Sequence, residues 1–191
     1  MSGGREPEEE GPELVAGQLL VASPLLADPN FAGAMVLLLN VDGDGALGVV
    51  VNRPSEVPVA QVLERWAELP GTSSVVFSGG PVEPEGALAV ATLQDGDPEP
   101  PGWRPLFGRT GLVDLDGPMG EYHRLRVYAG YAGWSDGQLE AEIAEGAWHV
   151  VASDPGDLEI DDPELLWRTV LRRQPGPLAL LISMPVDAAL N

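Results

Sequence analysis

The sequence predicts an α+β fold in which a mixed, largely antiparallel sheet or flattened barrel has about three helices packed outside it. Short apolar segments rich in Val and Leu clearly outnumber the helical segments. They are not separated by regular helical crossovers, which disfavours a doubly wound parallel sheet. The chain has 191 residues, 44% of them hydrophobic, enough for one domain with a substantial core. We therefore expect a disordered acidic tail over residues 1–13 and a single domain over residues 14–191.

The N-terminal half contains three short apolar runs that predict buried strands. They cover residues 18–22, 34–40 and 47–52, and Pro, Gly, Asp or Asn residues bound them. Between the last two runs, residues 41–45 contain two Asp-Gly steps. Because Asp-Gly readily adopts the backbone of a tight turn, a hairpin is predicted here.

Three segments carry helical signals. In residues 59–68, apolar side chains recur with the spacing of one buried helix face. Residues 136–145 follow Ser135, which forms a capping-box pattern with Gln138 and is therefore predicted to be the N-cap. Residues 163–173 have acids before a Pro at one end and two Arg at the other, which complements the helix dipole.

The remaining apolar segments predict further strands, and one stretch predicts a long loop. Residues 94–108 are rich in Pro, Gly and Asp, so we expect no regular structure there. The last strand is expected at residues 178–184. The other predicted strands cover residues 74–78, 87–93, 111–115, 125–131 and 148–152.

The charge balance restricts the classes of partner. There are 30 acidic and 10 basic residues, giving a net charge of −20, and every basic residue is Arg. Such a field repels phosphate backbones and anionic membranes, so direct nucleic-acid binding is not expected. It favours either simple solvation of the surface or attraction of a basic partner.

The expected location is the cytoplasm. The chain has no Cys, which excludes disulfides and thiolate chemistry. The first 13 residues lack the apolar core of a secretory signal. The longest apolar runs fall far short of the roughly 20 residues that span a bilayer, so no membrane contact is expected.

Several motifs stand in order along the chain, and together they resemble the YqgE/AlgH family of small bacterial proteins. The resemblance covers about residues 17–173. It implies an α+β fold with a barrel-like sheet core. Members of this family are described as uncharacterised proteins or as transcriptional regulators. The motifs are QLLVASP from Gln18, DPNF from Asp28, GALGVVVNRP from Gly45, GGPV from Gly79, and YAGW from Tyr131 leading into GQLE from Gly137.

The chain also departs from the family pattern. After Phe31 the family often has basic residues and a hydroxyl, where this chain has Ala32, Gly33 and Ala34. The family's Glu-His pair is replaced by Asn40 and Val41, so an acid–base role for that pair is lost. The chain also shows no recognisable DNA-reading motif to support a regulator that binds DNA directly.

A candidate ligand site is predicted where several of these motifs end their strands. The two glycines before Pro81 form either an anion-binding nest of backbone amides or a tight turn. Arg53 either clamps an anion or satisfies loop carbonyls. Tyr131 and Trp134 either line a pocket beside a helix N-terminus or belong to the core. The candidates are Asn52, Arg53, Gly79, Gly80, Pro81, Tyr131 and Trp134.

No catalytic residue, metal ligand or cofactor is predicted. Ser135 stands in a G-x-S-x-G sequence between a strand and a helix, but the acid and His149 do not follow in the order of a hydrolase. His123 and His149 lack metal-ligand spacing. The expected function is a non-catalytic module that binds a small anionic ligand or a protein, with a regulatory role and the oligomeric state left open. The alternative is a hydrolase or nucleotide-handling enzyme that uses the same cleft.

Overall fold

A computed structural model describes residues 12–183 of the chain. Four helices lie in this range: α1 (Val59–Val62), α2 (Glu64–Ala67), α3 (Gln138–Ala144) and α4 (Pro163–Arg172). Two 3-10 segments cover Pro155–Glu159 and Gly176–Ser183. The strands are β1 (Gln18–Ala22), β2 (Met35–Asp42), β3 (Gly45–Val50), β4 (Pro54–Pro58), β5 (Val75–Ser78), β6 (Val82–Thr92), β7 (Trp103–Phe107), β8 (Thr110–Val113), β9 (Arg124–Ser135) and β10 (Trp148–Ala152).

The ten strands form one curled sheet, which confirms the predicted α+β class. The order is β10-β1-β2-β3-β9-β6-β8-β7, with β5 joined to β9 and β4 joined to β5. Strand pairs are antiparallel except β5 with β9. The curl brings β7 back toward the start of β1, since a Cβ built on Gly17 would lie 2.9 Å from the Cβ of Phe107.

Alternate residues of the strands face the inside of the curl. On β2 and β3, Leu37, Leu39 and Val49 belong to a single buried cluster, which we call the inner cluster. Helix α4 packs its buried side chains, including Leu166 and Val170, into the same cluster. The inner face of the sheet is therefore a packed core and not an open channel.

The outward-facing residues form two further clusters, each covered by helices. One joins β6, β8 and the first half of β9 to α1 and α2 through Val59 and Trp66. The other joins β1, β2, β3 and the end of β9 to α3 through Leu139. The sheet thus buries both faces over most of its area, which explains why its central strands are apolar on both sides.

The predicted hairpin is confirmed between β2 and β3. Asp42 pairs with Gly45, which leaves a two-residue turn. The Asp42 carboxylate accepts a 2.9 Å hydrogen bond from the amide of Asp44 and stabilises that turn. The predictions for β1 and β10 agree with the structure residue for residue, and the helix predicted at residues 163–173 is α4.

The helix predicted over residues 59–68 is wrong as a continuous element. Leu63 has φ −141° and ψ 65°, so the helical hydrogen-bond ladder stops there and restarts as α2. The break allows Val59 and Trp66 both to be buried, whereas Val62, on the predicted apolar face, is 54% exposed. Sheet packing therefore overrides the helical periodicity.

The loop predicted over residues 94–108 contains the edge strand β7. It pairs with β8, placing Trp103 opposite Val113 and Pro105 opposite Gly111. Pro105 reads as a strand breaker in the sequence, but a proline is tolerated on an edge strand, where one side of the backbone has no sheet partner. Strand β4 was likewise not predicted because it begins and ends with proline.

Two further predictions fail at helix ends and near the C-terminus. The N-cap of α3 is Gly137, with φ 73°, because β9 continues to Ser135. Gln138 still reaches back to the Ser135 amide at 3.1 Å, so one half of the capping box forms. The strand predicted at residues 178–184 is wrong: residues 178–183 lie in the second 3-10 segment, and residue 184 lies outside the described residues. Residues 1–11 of the predicted tail also lie outside them.

Candidate functional site

Asn52, two residues after the end of β3, connects two parts of the backbone. Its side-chain oxygen accepts a hydrogen bond from the Met35 amide at 2.9 Å. Its side-chain nitrogen donates to the Gly33 carbonyl, also at 2.9 Å. Asn52 is buried, so this amide holds the loop before β2 against the end of β3.

Arg53 supports the same loop from the next position. Its guanidinium donates to the carbonyl of Asn30 and, at 2.9 Å, to the carbonyl of Ala32. Burial lowers the pKa of Arg53, and the negative charge of Asp28 partly offsets this. These contacts match the structural alternative for Arg53, in which it satisfies loop carbonyls.

Gly79 and Gly80 are pressed against the backbone of β9. The Gly79 amide donates to the Ala129 carbonyl at 2.8 Å, and its carbonyl accepts from Val50 at 2.8 Å. A Cβ on Gly79 would lie 2.2 Å from the Gly130 oxygen. Pro81 has no amide hydrogen, and the Gly79 amide is bonded to Ala129. Of the three residues, Gly80 is therefore the one whose amide takes no part in the contacts described here.

Tyr131 and Trp134 face opposite sides of the sheet. Tyr131 packs against the inner cluster, whereas Trp134 belongs to the outer cluster under α3. The Trp134 indole donates to Glu142 at 2.9 Å, and the Trp148 indole donates to the same carboxylate oxygen at 2.8 Å. Trp134 therefore holds α3 on the sheet from the side opposite to Tyr131.

The seven predicted residues thus fall into a connected backbone junction and a separate aromatic cluster. The junction is held together by the Ser78 amide, which donates to the Arg53 carbonyl at 2.8 Å, and by the contact of Gly80 with Tyr131. None of the seven lines either of the two grooves described next. Ligand binding at the junction stays a prediction.

A groove of about 680 Å³ opens at the mouth of the curled sheet. We call it the mouth groove. Its apolar floor is formed by inward-facing residues of β2, β3, β6 and β8, namely Leu39, Leu47, Leu88 and Leu112. Leu39 is buried, whereas the other three are only half-buried, because the inner cluster thins out at this end. The mouths of barrel-like sheets are common ligand sites.

Polar side chains surround this floor. Arg104 on β7 is exposed on one side, and Asp114 and Asp116 follow β8 on the same rim. The Asp114 carboxylate accepts a 3.0 Å hydrogen bond from the Asp116 amide, which fixes the turn that carries both acids. Asn40 lies on the opposite wall and donates to Asp42 at 2.6 Å. The mouth groove therefore combines an aliphatic floor with a rim of mixed charge.

Sequence reasoning did not find the mouth groove. Leu47, Leu88 and Leu112 alternate along their strands in the same way as fully buried residues do. Only the curl of the sheet shows that these three residues line a groove between the described strands. Arg104 lies in the stretch predicted to be a loop, so its place beside these leucines had no signal in the sequence.

A second, smaller groove of about 460 Å³ lies between the end of β6 and the start of β9. His123 lines it together with Tyr122, Asp97 and Gln94. The His123 ring is held on both sides, by Gln94 at 3.0 Å and by Glu159 at 3.1 Å. The imidazole is thus part of a chain of polar contacts at the surface.

A buried cation stabilises the inner face beside α4. Arg126 is fully buried and donates to the Ile160 carbonyl at 2.6 Å and to Asp161 at 2.9 Å. Its guanidinium lies 4.5 Å from the centre of the Phe77 ring. Burial acts to raise the pKa of Asp161, but the hydrogen bonds and charges of Arg124 and Arg126 outweigh it and lower that pKa. This ion pair ties the start of α4 to β9.

The serine of the G-x-S-x-G sequence, Ser135, bonds to a glutamine side chain. The Ser135 hydroxyl lies 3.2 Å from the amide oxygen of Gln138, to which it donates. His149 lies on β10 opposite Val21. Between residues 12 and 183, no group of three or more acidic or histidine side chains is placed to hold a metal ion. Over the same range, no helix has both the length and the apolar character needed to cross a bilayer.

A curled antiparallel sheet with a helix on its inner face and an open mouth defines the class of this protein, a small α+β half-barrel. The family model described as AlgH-like, DUF179, matches residues 19–179. The chain therefore belongs to the AlgH-like family, which confirms the resemblance inferred from its motifs.

Similar proteins and structures agree with this assignment. A UPF0301 protein of Streptomyces avermitilis is 53% identical over 184 residues, covering 93% of this chain and 95% of that protein. A crystal structure of a Corynebacterium diphtheriae protein has a TM-score of 0.80 at 28% identity, covering 90% of this chain and 93% of the other. The solution structure of AlgH from Pseudomonas aeruginosa has a TM-score of 0.67 at 27% identity, covering 93% and 98%. None of these names specifies a reaction, a ligand or a partner.

Proposed function

We propose that this chain is a non-catalytic binding module and that the mouth groove is its binding site. The observation that carries the proposal is the half-buried row formed by Leu47, Leu88 and Leu112 at the mouth of the sheet. Water against an aliphatic floor is unfavourable by about 25 cal/mol for each Å² of apolar surface. A ligand that covers the floor therefore gains free energy without any rearrangement of the sheet.

The polar groups of the chain support binding over catalysis. Nucleophilic catalysis needs a hydroxyl or thiol within hydrogen-bond reach of a base. The Ser135 hydroxyl is bonded to Gln138, and the His123 ring is bonded to Gln94 and Glu159. The groups of the mouth groove, an Arg, two Asp and an Asn, suit recognition of a ligand. A regulatory role would follow if binding changed what the protein associates with.

Amide NMR spectra of the full chain, titrated with a panel of small aliphatic and nucleotide ligands, test this proposal. We expect ligands with an aliphatic part to shift the amides of Leu39, Leu47 and Leu88. Leu88→Trp fills the groove and should abolish the shifts. Val62→Trp is the matched control, because Val62 is 54% exposed on α1 and lies outside the groove.

One outcome would overturn the mouth groove as the binding site, and a second would overturn the non-catalytic role. Shifts centred on Asn52, Arg53 and Gly80 that survive in Leu88→Trp would place the site at the predicted junction instead. Hydrolysis of an ester or a nucleoside triphosphate that is lost in Ser135→Ala would favour the alternative, an enzyme.

A further inference from the structure

We propose that the occupant of the mouth groove is a basic segment of a partner protein that carries aliphatic side chains. This inference rests on the proposed function and adds the chemistry of the partner. It combines three observations: the aliphatic floor, the acids on the rim, and the charge of the whole chain.

The floor selects an aliphatic group. Four leucine side chains that belong to or pack on the inner cluster form it. A polar or charged group placed on this floor would lose its hydration without gaining a hydrogen bond, which is unfavourable. The groove volume of about 680 Å³ has room for more than one aliphatic side chain.

The rim selects positive charge. Asp114 and Asp116 are exposed and held in one turn on the β8 side of the groove. No ion pair within 4.0 Å joins either of them to a described Arg, and Arg104 stands alone against two acids on this rim. Lys or Arg side chains that flank the aliphatic group would lie near these carboxylates.

The charge of the chain argues against four other occupants. The N-terminal residues 1–11 contain four Glu, one Arg and, apart from Met1, no large apolar side chain. A second copy brings another net charge of −20. Of its ten Arg residues, six already bond internally: Arg53, Arg109, Arg124, Arg126, Arg168 and Arg173. An anionic membrane or small anion meets the same repulsion, whereas a basic protein is attracted over long range.

Fluorescence polarisation with three labelled peptides of nine residues tests the inference on the full chain. One peptide alternates leucine with lysine, the second replaces leucine by serine, and the third replaces lysine by glutamate. We expect the leucine–lysine peptide to bind at least about tenfold more tightly than either of the others, because each of them lacks one of the two required features.

Two pairs of substitutions separate local from global charge. The double variant Asp114→Asn, Asp116→Asn should weaken binding of the leucine–lysine peptide about fivefold or more. The control is Glu140→Gln, Glu145→Gln, which changes the net charge equally but lies on the outer face, with Glu140 on α3 and Glu145 at its C-cap. It should change the affinity less than about twofold, because screened distant charges contribute little.

Each contrary result overturns a defined part of the argument. Equal binding of the serine–lysine peptide would mean attraction by net charge alone. Binding of the leucine–glutamate peptide as tight as that of the leucine–lysine peptide would overturn the basic partner but leave the groove as a binding site. Leucine–lysine binding that is unchanged in Leu88→Trp would place the peptide elsewhere. Equal affinity for octyltrimethylammonium, with the same response to the variants, would replace the protein segment by a small cationic amphiphile.

Discussion

The predicted junction and the mouth groove differ in what their side chains and backbone groups already do. At the junction, Asn52 and Arg53 donate to loop carbonyls, and the Gly79 amide donates to β9. At the mouth, Leu88 and Leu112 are half-buried and line the groove that the described residues leave open. The residues that attract attention in the sequence are therefore engaged in structure, while residues that look like ordinary core remain available.

This difference follows from how each region meets the rest of the fold. Polar residues at strand ends lie where loops leave the sheet, and buried loop backbone needs hydrogen-bond partners. Inward-facing leucines need a neighbouring element to cover them, and α4 covers only part of the inner face. If the junction groups serve the fold and the mouth leucines are open, substitutions in the two regions should change stability by different amounts.

The largest expected effect is that of Gly79→Ala. The added Cβ would lie 2.2 Å from the oxygen of Gly130, which is in β9, and Gly79 is held beside it by its backbone hydrogen bonds to Ala129 and Val50. We expect a loss of at least about 4 kcal/mol in the free energy of unfolding, or no folded protein, measured by urea denaturation. Gly43→Ala in the hairpin turn is the control, since nothing lies within 4 Å of its Cβ. A folded, stable Gly79→Ala variant would show that the junction is loose enough to open.

Leu37→Ala and Leu88→Ala compare the packed and the open part of the inner face. Leu37 is 1% exposed, so its truncation leaves a cavity and should cost about 2–5 kcal/mol. Leu88 is half-buried at the mouth, where solvent already reaches it. Its truncation should therefore lower the free energy of unfolding by only about 1 kcal/mol. Equal losses in urea denaturation would mean that the mouth is covered in solution and would weaken the proposed site.

Asn52→Ala tests whether the junction amide serves the fold. Removing it leaves the Met35 amide and the Gly33 carbonyl without their partner. We expect a loss of about 1–3 kcal/mol in urea denaturation and faster exchange of the Met35 amide hydrogen. A variant of unchanged stability would instead support Asn52 as a group kept for a ligand.

The smallest expected effect is a pH dependence that comes from His149. Burial lowers the pKa of His149 in the folded chain, so the unfolded chain binds a proton at a higher pH than the folded one. Stability from the neutral ring is therefore complete above the ordinary pKa of about 6.5 and is lost as the pH falls below it. The free energy of unfolding should fall between pH 7.5 and about 5.5. We expect His149→Gln to reduce that fall by less than about 1 kcal/mol, because solvent screens a half-exposed group.

The sequence predicts the fold better than the site because the fold's signals are local. The runs that form β1, β10 and α4 are bounded by Pro, Gly or Asp and have clear periodicity. Where local signals conflict with position in the sheet, prediction fails: Pro105 hides β7, and the apolar stretch after Gly176 forms 3-10 turns and not a strand. The mouth groove depends on strands far apart in the chain, since β2 and β3 face β6 and β8 only after the sheet curls. No local pattern encodes that meeting.

The approach of β7 to the start of β1, at Phe107 and Gly17, has a mechanical consequence. The two walls of the groove lie on either side of β9 in one curled sheet, and the contact of Phe107 with Gly17 helps to hold that curl. A bound segment that contacts both walls holds them together and opposes opening of the curled sheet. Strand β7 is the terminal strand, so it would be the first strand affected when the curl opens. Occupancy should therefore be visible as slower deuterium uptake there, even though β7 contributes little of the floor.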